Sequence, residues 1–173
     1  MDELLYRRMP HSLEAEQAVL GSMLIDANCV KDVMEKLRPD DFYLRQNREI
    51  FETIYSMFLY SRPIDGVTVA GEMERNGTYD ENTTRSYLVQ LMEVTPTSAN
   101  VLEYVDIVRD KALLRAVATA AGEITGMVQD GTGDASAVLD AAEQKIYAVR
   151  RGRSAQNMEP IGTVLQGVLD HLA

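Results

Sequence analysis

The 173-residue chain is 46% hydrophobic and 25% charged, which is the composition of a folded domain with one sizeable core rather than of a disordered segment. Its formal charge of −10 works against autonomous nucleic-acid binding, because phosphate contacts need a basic surface. A single cysteine, Cys29, excludes an intrachain disulfide, and no apolar run approaches the roughly 20 residues that a membrane span requires. The opening segment, with Asp2 and Glu3 before Leu4, Leu5 and Tyr6, lacks the apolar stretch of a signal peptide, so the expected compartment is the cytoplasm.

Helical periodicity recurs along the chain and strand alternation does not. Ser12 is placed to cap a first helix, with Glu14 and Glu16 in its first turn and Ala15, Ala18, Val19, Met23 and Leu24 on its apolar stripe. Asp26 or Asn28 caps a short helix carrying Val30, Val33, Met34 and Leu37, ended by Pro39. Ile50, Phe51, Ile54, Tyr55, Phe58 and Leu59 then form the wide buried face of a third helix, stopped by Pro63. Thr68 is the expected cap of the next helix and Gly77 its close. After the polar turn of 80–84, Tyr87, Leu88, Leu91 and Met92 make one more helix before Thr95, Pro96, Thr97 and Ser98 break the chain.

From Ala99 to Gln129 no proline or turn cluster intervenes, so a continuous helix of roughly 46 Å is expected. The turn sequence of 130–134 leads to a second helix from Ala135 to Arg150, capped by Asp134, with Val138, Leu139, Ala142, Ile146 and Val149 on one side. So short a turn folds the two back as an antiparallel hairpin. Gly122 and Gly126 within it read as a site of close helix approach, since the intervening Glu123 excludes a membrane motif. Arg150, Arg151 and Arg153 read as solvated cations near a helix C-terminus, and 151–159 as a polar linker.

Pro160 opens a last amphipathic helix whose stripe is Ile161, Val164, Leu165, Val168, Leu169 and Leu172. Burying those side chains is worth on the order of 10 kcal/mol, and a helix this short is marginal without packing. Its cover is either its own domain or another subunit or further domain. The polar linker before it and the stop after it favour the second, with the stop read as a boundary inside a longer protein. The expected fold class is therefore all-α: a compact helical bundle head over 1–96, a long antiparallel helical hairpin over 97–150, a linker over 151–159 and a C-terminal linker helix over 160–173.

No phosphate-binding loop, catalytic triad or metal-ligand spacing occurs, and His11 and His171 stand at opposite ends of the chain. The pairs Asp40–Asp41 and Glu14/Glu16 have ordinary roles at helix starts. The chain is expected to be an interaction module and not itself an enzyme, with no cofactor of its own.

Four ordered blocks carry a resemblance. Residues 10–21, from Pro10 through Glu14, Glu16, Gln17 and Gly21, resemble the opening signature of the DnaB-type replicative DNA helicases. Asp41, Phe42 and Tyr43 with Asn47, Ile50 and Phe51 resemble the next block, 63–69 a third, and 95–101 with Tyr104 and 107–111 a fourth. The resemblance implies the amino-terminal collar domain of a homohexameric, ATP-driven helicase, with ATP and Mg held in an ATPase domain that this chain lacks. It implies hairpins pairing neighbouring subunits, a linker helix docking on the adjacent subunit's ATPase domain, and recruitment of the carboxy-terminal domain of primase. Tyr87 in the head and Ile124 and Met127 in the hairpin are the primase-contact candidates it suggests, core packing being the alternative role of each. A helicase loader is a further candidate partner; DNA binding is expected to be weak or absent, and membrane contact absent. A stand-alone helical adaptor or regulator of a replicative helicase is the alternative reading.

Overall fold

A computed structural model describes residues 9–131 and 133–156, with the side chains of 153–156 excepted. The described residues are helical with no strand among them. The stripe of Ile161, Val164, Leu165, Val168, Leu169 and Leu172 lies outside them. No described helix is long and apolar enough to cross a membrane.

Helix α1 spans Leu13–Ile25 and begins as the sequence suggests, with Ser12 Oγ accepting from the Ala15 N–H at 3.2 Å. It is buried on two sides, against α3 (Arg45–Leu59) and α5 (Thr84–Glu93), so Val19, Leu20 and Met23 are all fully enclosed. The approach to α5 is close: a β-carbon on Gly21 would overlap Oγ1 of Thr95 and the Leu91 carbonyl oxygen. Asp26 caps a 3-10 turn over Ala27–Cys29 through the Asn28 N–H, and α2 (Val30–Lys36) follows with Val30, Val33 and Met34 buried. Neither Asp26 nor Asn28 caps α2 itself, because the intervening 3-10 turn puts Cys29 at its N-cap position.

A second 3-10 turn, Pro39–Asp41, brings Phe42 against Phe51 of α3 with ring centroids 4.7 Å apart. Ile50, Phe51, Ile54 and Met57 form the buried face of α3. Each such side chain contributes about 1.5–3 kcal/mol by leaving water. Leu59 does not share that face. It is the last residue of the helix and 63% exposed, because burial follows 50, 54 and 57 around the cylinder and leaves 59 beyond its edge.

Helix α4 covers Gly66–Arg75. Its cap is Asp65, whose Oδ1 accepts from the N–H groups of Val67 and Thr68, and not Thr68 as the sequence suggests. Thr68 supplies the other half of a capping box, its Oγ1 accepting from the Asp65 N–H at 3.0 Å. Gly77 closes the helix at φ 72°, where glycine alone is unstrained. Glu72, largely buried, ion-pairs with Arg62 and Arg75 and so ties α4 to the turn after α3, in which Ser61 sits at φ 52°.

Helix α6 runs from Val101 to Asp130, and α7 from Ala135 to Gln156. The continuation of α7 beyond Arg150 corrects the expected linker start. Nothing between Arg151 and Gln156 is a strong breaker, since Gly152 alone only weakens a helix and the first proline is Pro160. Compactness divides the chain inside α6, between Ala118 and Thr119. The first part of α6 belongs with the head because Val101, Val105 and Val108 are buried in its core cluster.

Candidate interaction surfaces

Within the head, Glu16 is 1% exposed, although a first-turn glutamate would ordinarily face water. It stands in the first turn of α1 as expected, and its carboxylate has a further role inside the head. Oε1 accepts from the Tyr43 N–H at 2.6 Å, and Oε2 accepts from Asn47 Nδ2 at 2.7 Å and from the Leu44 N–H at 3.4 Å. A buried carboxylate is tolerated only when its lone pairs are met in this way. Asn47, fully buried, accepts in turn from the Tyr87 hydroxyl at 2.6 Å, and that hydroxyl accepts from Gln17 Nε2 at 3.4 Å. Tyr87 is half-buried on α5, and burial pushes its phenol above the usual range.

Beside this chain of bonds, the Arg115 guanidinium of α6 donates to the carbonyl oxygens of Pro10 at 2.7 Å and Asp41 at 2.6 Å. It also lies 5.6 Å over the Tyr43 ring, whose own plane stacks on His11 at 4.2 Å. One arginine thus fastens the head portion of α6 to two loops.

In the second unit, the far part of α6 and α7 are held by Lys145 and Glu123 at 2.7 Å. Ile124 and Met127, one turn apart on α6, are half-buried, as are Val138, Ala142 and Val149 on α7. Leu139 and Ile146 are not on that covered side, being 60% and 45% exposed, and with Val128 and Tyr147 they leave apolar surface in water. The covered stripe is narrower than the periodicity implies: two helices in contact cover only the residues near their seam, so 139 and 146 turn outward from 138, 142 and 149. A β-carbon on Gly122 or Gly126 would meet nothing within 4 Å, so among the described residues no close helix approach requires glycine there. Arg150 and Arg151 are exposed on the last turns of α7.

Tyr87 therefore lies in the head and Ile124 and Met127 in the second unit. Glu16, Gln17 and Asn47 stand in the blocks that carry the resemblance, but the sequence assigns none of them a role in a shared network. The burial of Glu16 cannot be seen from a helix start rich in acidic residues. Among the described residues no group of three or more His, Cys, Asp or Glu is arranged to hold a metal ion.

A helical head continued into a hairpin with uncovered apolar side chains is the architecture of an interaction module. Residues 8–110 match the family model of the DnaB-like helicase N terminal domain. The chain is 36% identical over 168 residues to the replicative DNA helicase DnaB of Mycobacterium leprae, covering 96% of this chain and 28% of that protein. It is 33% identical over 166 residues to the Haemophilus influenzae protein of the same name, covering 94% of this chain and 36% of the relative. The crystal structure of the N-terminal domain of DnaB helicase from Mycobacterium tuberculosis superposes with a TM-score of 0.77 at 37% identity, covering 82% of this chain and 99% of that one. The Helicobacter pylori N-terminal domain, described together with its interactions with primase, shares the fold with a TM-score of 0.59 at 22% identity, covering 67% of this chain and 90% of that one. The chain belongs to the DnaB-like helicase N-terminal domain family. It spans about a third of the length of the curated relatives it matches.

Proposed function

We propose that this chain is the collar module of a hexameric replicative DNA helicase, associating with copies of itself through the hairpin and recruiting primase. The observation that carries the reading is the apolar surface left uncovered on the second unit, where Val128, Leu139, Ile146 and Tyr147 are 65%, 60%, 45% and 66% exposed. Four large apolar side chains left in water on two paired helices are side chains that association with another copy would bury. In the parent protein, unwinding would use ATP and Mg bound in a separate ATPase domain, onto which residues 160–173 would pack. The chain would need no cofactor of its own.

Primase docking is supported by the Helicobacter relative, which is described with its primase interactions, and by the positions of the three candidates. Tyr87 keeps part of its surface in solvent on the head, and Ile124 and Met127 do so on the second unit. The contact partner would be the helical carboxy-terminal domain of primase, with a helicase loader as a further partner. Direct DNA binding by a module of charge −10 would be weak or absent. The working compartment would be the cytoplasm, without membrane contact.

The test is titration of the chain with the isolated carboxy-terminal domain of its cognate primase by calorimetry. Saturable binding that Tyr87→Ala or Ile124→Asp weakens at least tenfold supports recruitment. Absence of binding at 100 µM-scale concentrations (roughly −5 kcal/mol or weaker) contradicts it.

A further inference from the structure

The polar chain through Tyr87 has a fixed direction. Glu16 is buried and can only accept hydrogen bonds, so the Asn47 amide must turn its Nδ2 toward that carboxylate. Asn47 is itself fully buried, and its Oδ1 is left facing the Tyr87 hydroxyl at 2.6 Å. The phenol has one proton and must spend it on Asn47, while it accepts from Gln17. The hydroxyl is thus committed inward and anchors the outer end of the ring, with part of the residue still open to solvent.

We infer that Glu16 and Asn47 are positioning residues for the Tyr87 contact, presenting its ring as a rigid apolar surface and withdrawing its phenol proton from any partner. This rests on the primase-docking reading and specifies the chemistry of recognition. The partner side chain would be apolar or cationic and would pack on the ring, and it would not need a phenol donor. An aromatic ring fixed before docking loses little conformational entropy on binding. Releasing it is therefore expected to weaken association about threefold to tenfold, while removing it abolishes the contact.

The test uses the full chain and the isolated carboxy-terminal domain of primase as the probe. Affinity is read by calorimetry, and the rotamer order of the residue-87 side chain by NMR. Tyr87→Phe removes the hydroxyl and keeps the ring, whereas Glu16→Gln keeps the ring and hydroxyl but reverses the preference of the Asn47 amide. Val33→Ala, a core change in α2, controls for lost stability. The expected result is lower rotamer order at residue 87 and a threefold to tenfold weaker Kd in both Tyr87→Phe and Glu16→Gln, loss of binding in Tyr87→Ala, and an unchanged Kd in Val33→Ala. If Tyr87→Ala abolishes binding while the other two bind like the parent chain, the positioning role is overturned and the docking reading stands. If Val33→Ala weakens binding as much as Glu16→Gln, the role of Glu16 is structural only, which also overturns the inference. If Tyr87→Ala binds normally, the docking reading itself falls and the inference with it. Should Glu16→Gln fail to fold, Tyr87→Phe decides alone.

Discussion

Gly21 of α1 lies so close to Thr95 that a β-carbon there would overlap the threonine Oγ1 and the neighbouring Leu91 carbonyl oxygen. The carbonyl cannot swing aside as a flexible side chain would, so α1 and α5 must separate to admit even a methyl group. Gly21→Ala is expected to destabilise the head by about 1–3 kcal/mol through overpacking. Thermal unfolding followed by circular dichroism checks this, at about 3–4 °C of Tm per kcal/mol for a chain of this size. An unchanged Tm would mean that the two helices pack less tightly.

Arg115→Lys is expected to destabilise the head although charge is kept. A lysine carries its donors on one nitrogen, so it cannot set two separate nitrogens against the Pro10 and Asp41 carbonyls or lay a planar cation over Tyr43. Loss of one such charged hydrogen bond costs about 1.5–3 kcal/mol. The urea midpoint measures it, and a midpoint equal to that of the parent chain contradicts the clamp.

Cys29 is 8% exposed, and burial pushes its thiol from 9.0 up to about 11. At pH 8 the folded chain therefore holds about a hundredfold less thiolate than the unfolded one, so reaction with a disulfide reagent is expected to be at least that much slower in the native chain than in guanidinium. Stability responds to the same difference. The folded state keeps its proton where the unfolded state has lost it, so this group's contribution to stability falls as pH rises from 9 toward 11. Rapid native labelling at pH 8 would contradict the burial.

Local signals are legible in the sequence where one residue decides the outcome. Ser12 and Asp134 accept the capping hydrogen bonds their positions suggest, and Gly77 takes the left-handed conformation that ends α4. The α3 stripe is legible at Ile50, Phe51 and Ile54 because one broad face covers it. Periodicity does not say where that face ends, hence Leu59, or how narrow a two-helix seam is, hence Leu139 and Ile146. Asp65 and Thr68 share one box, and sequence alone does not say which of two good caps takes the N-cap position. The Glu16–Asn47–Tyr87 chain is out of reach for a different reason. Asn47 stands 31 residues from Glu16 and 40 from Tyr87 along the sequence, and only the folded packing of α1, α3 and α5 brings the three together.

Association, on this account, resides in the hairpin. Sedimentation velocity over a concentration series tests it on three proteins: the full chain, the chain without residues 157–173, and a Leu139→Asp, Ile146→Asp double variant. Both replaced side chains are exposed within one chain, so the variant is expected to keep its helicity. The expected result is a dimer or larger species in the first two proteins and a monomer in the double variant. A double variant that associates as the full chain does, or a shortened chain that is monomeric throughout, would contradict the hairpin as the seat of assembly.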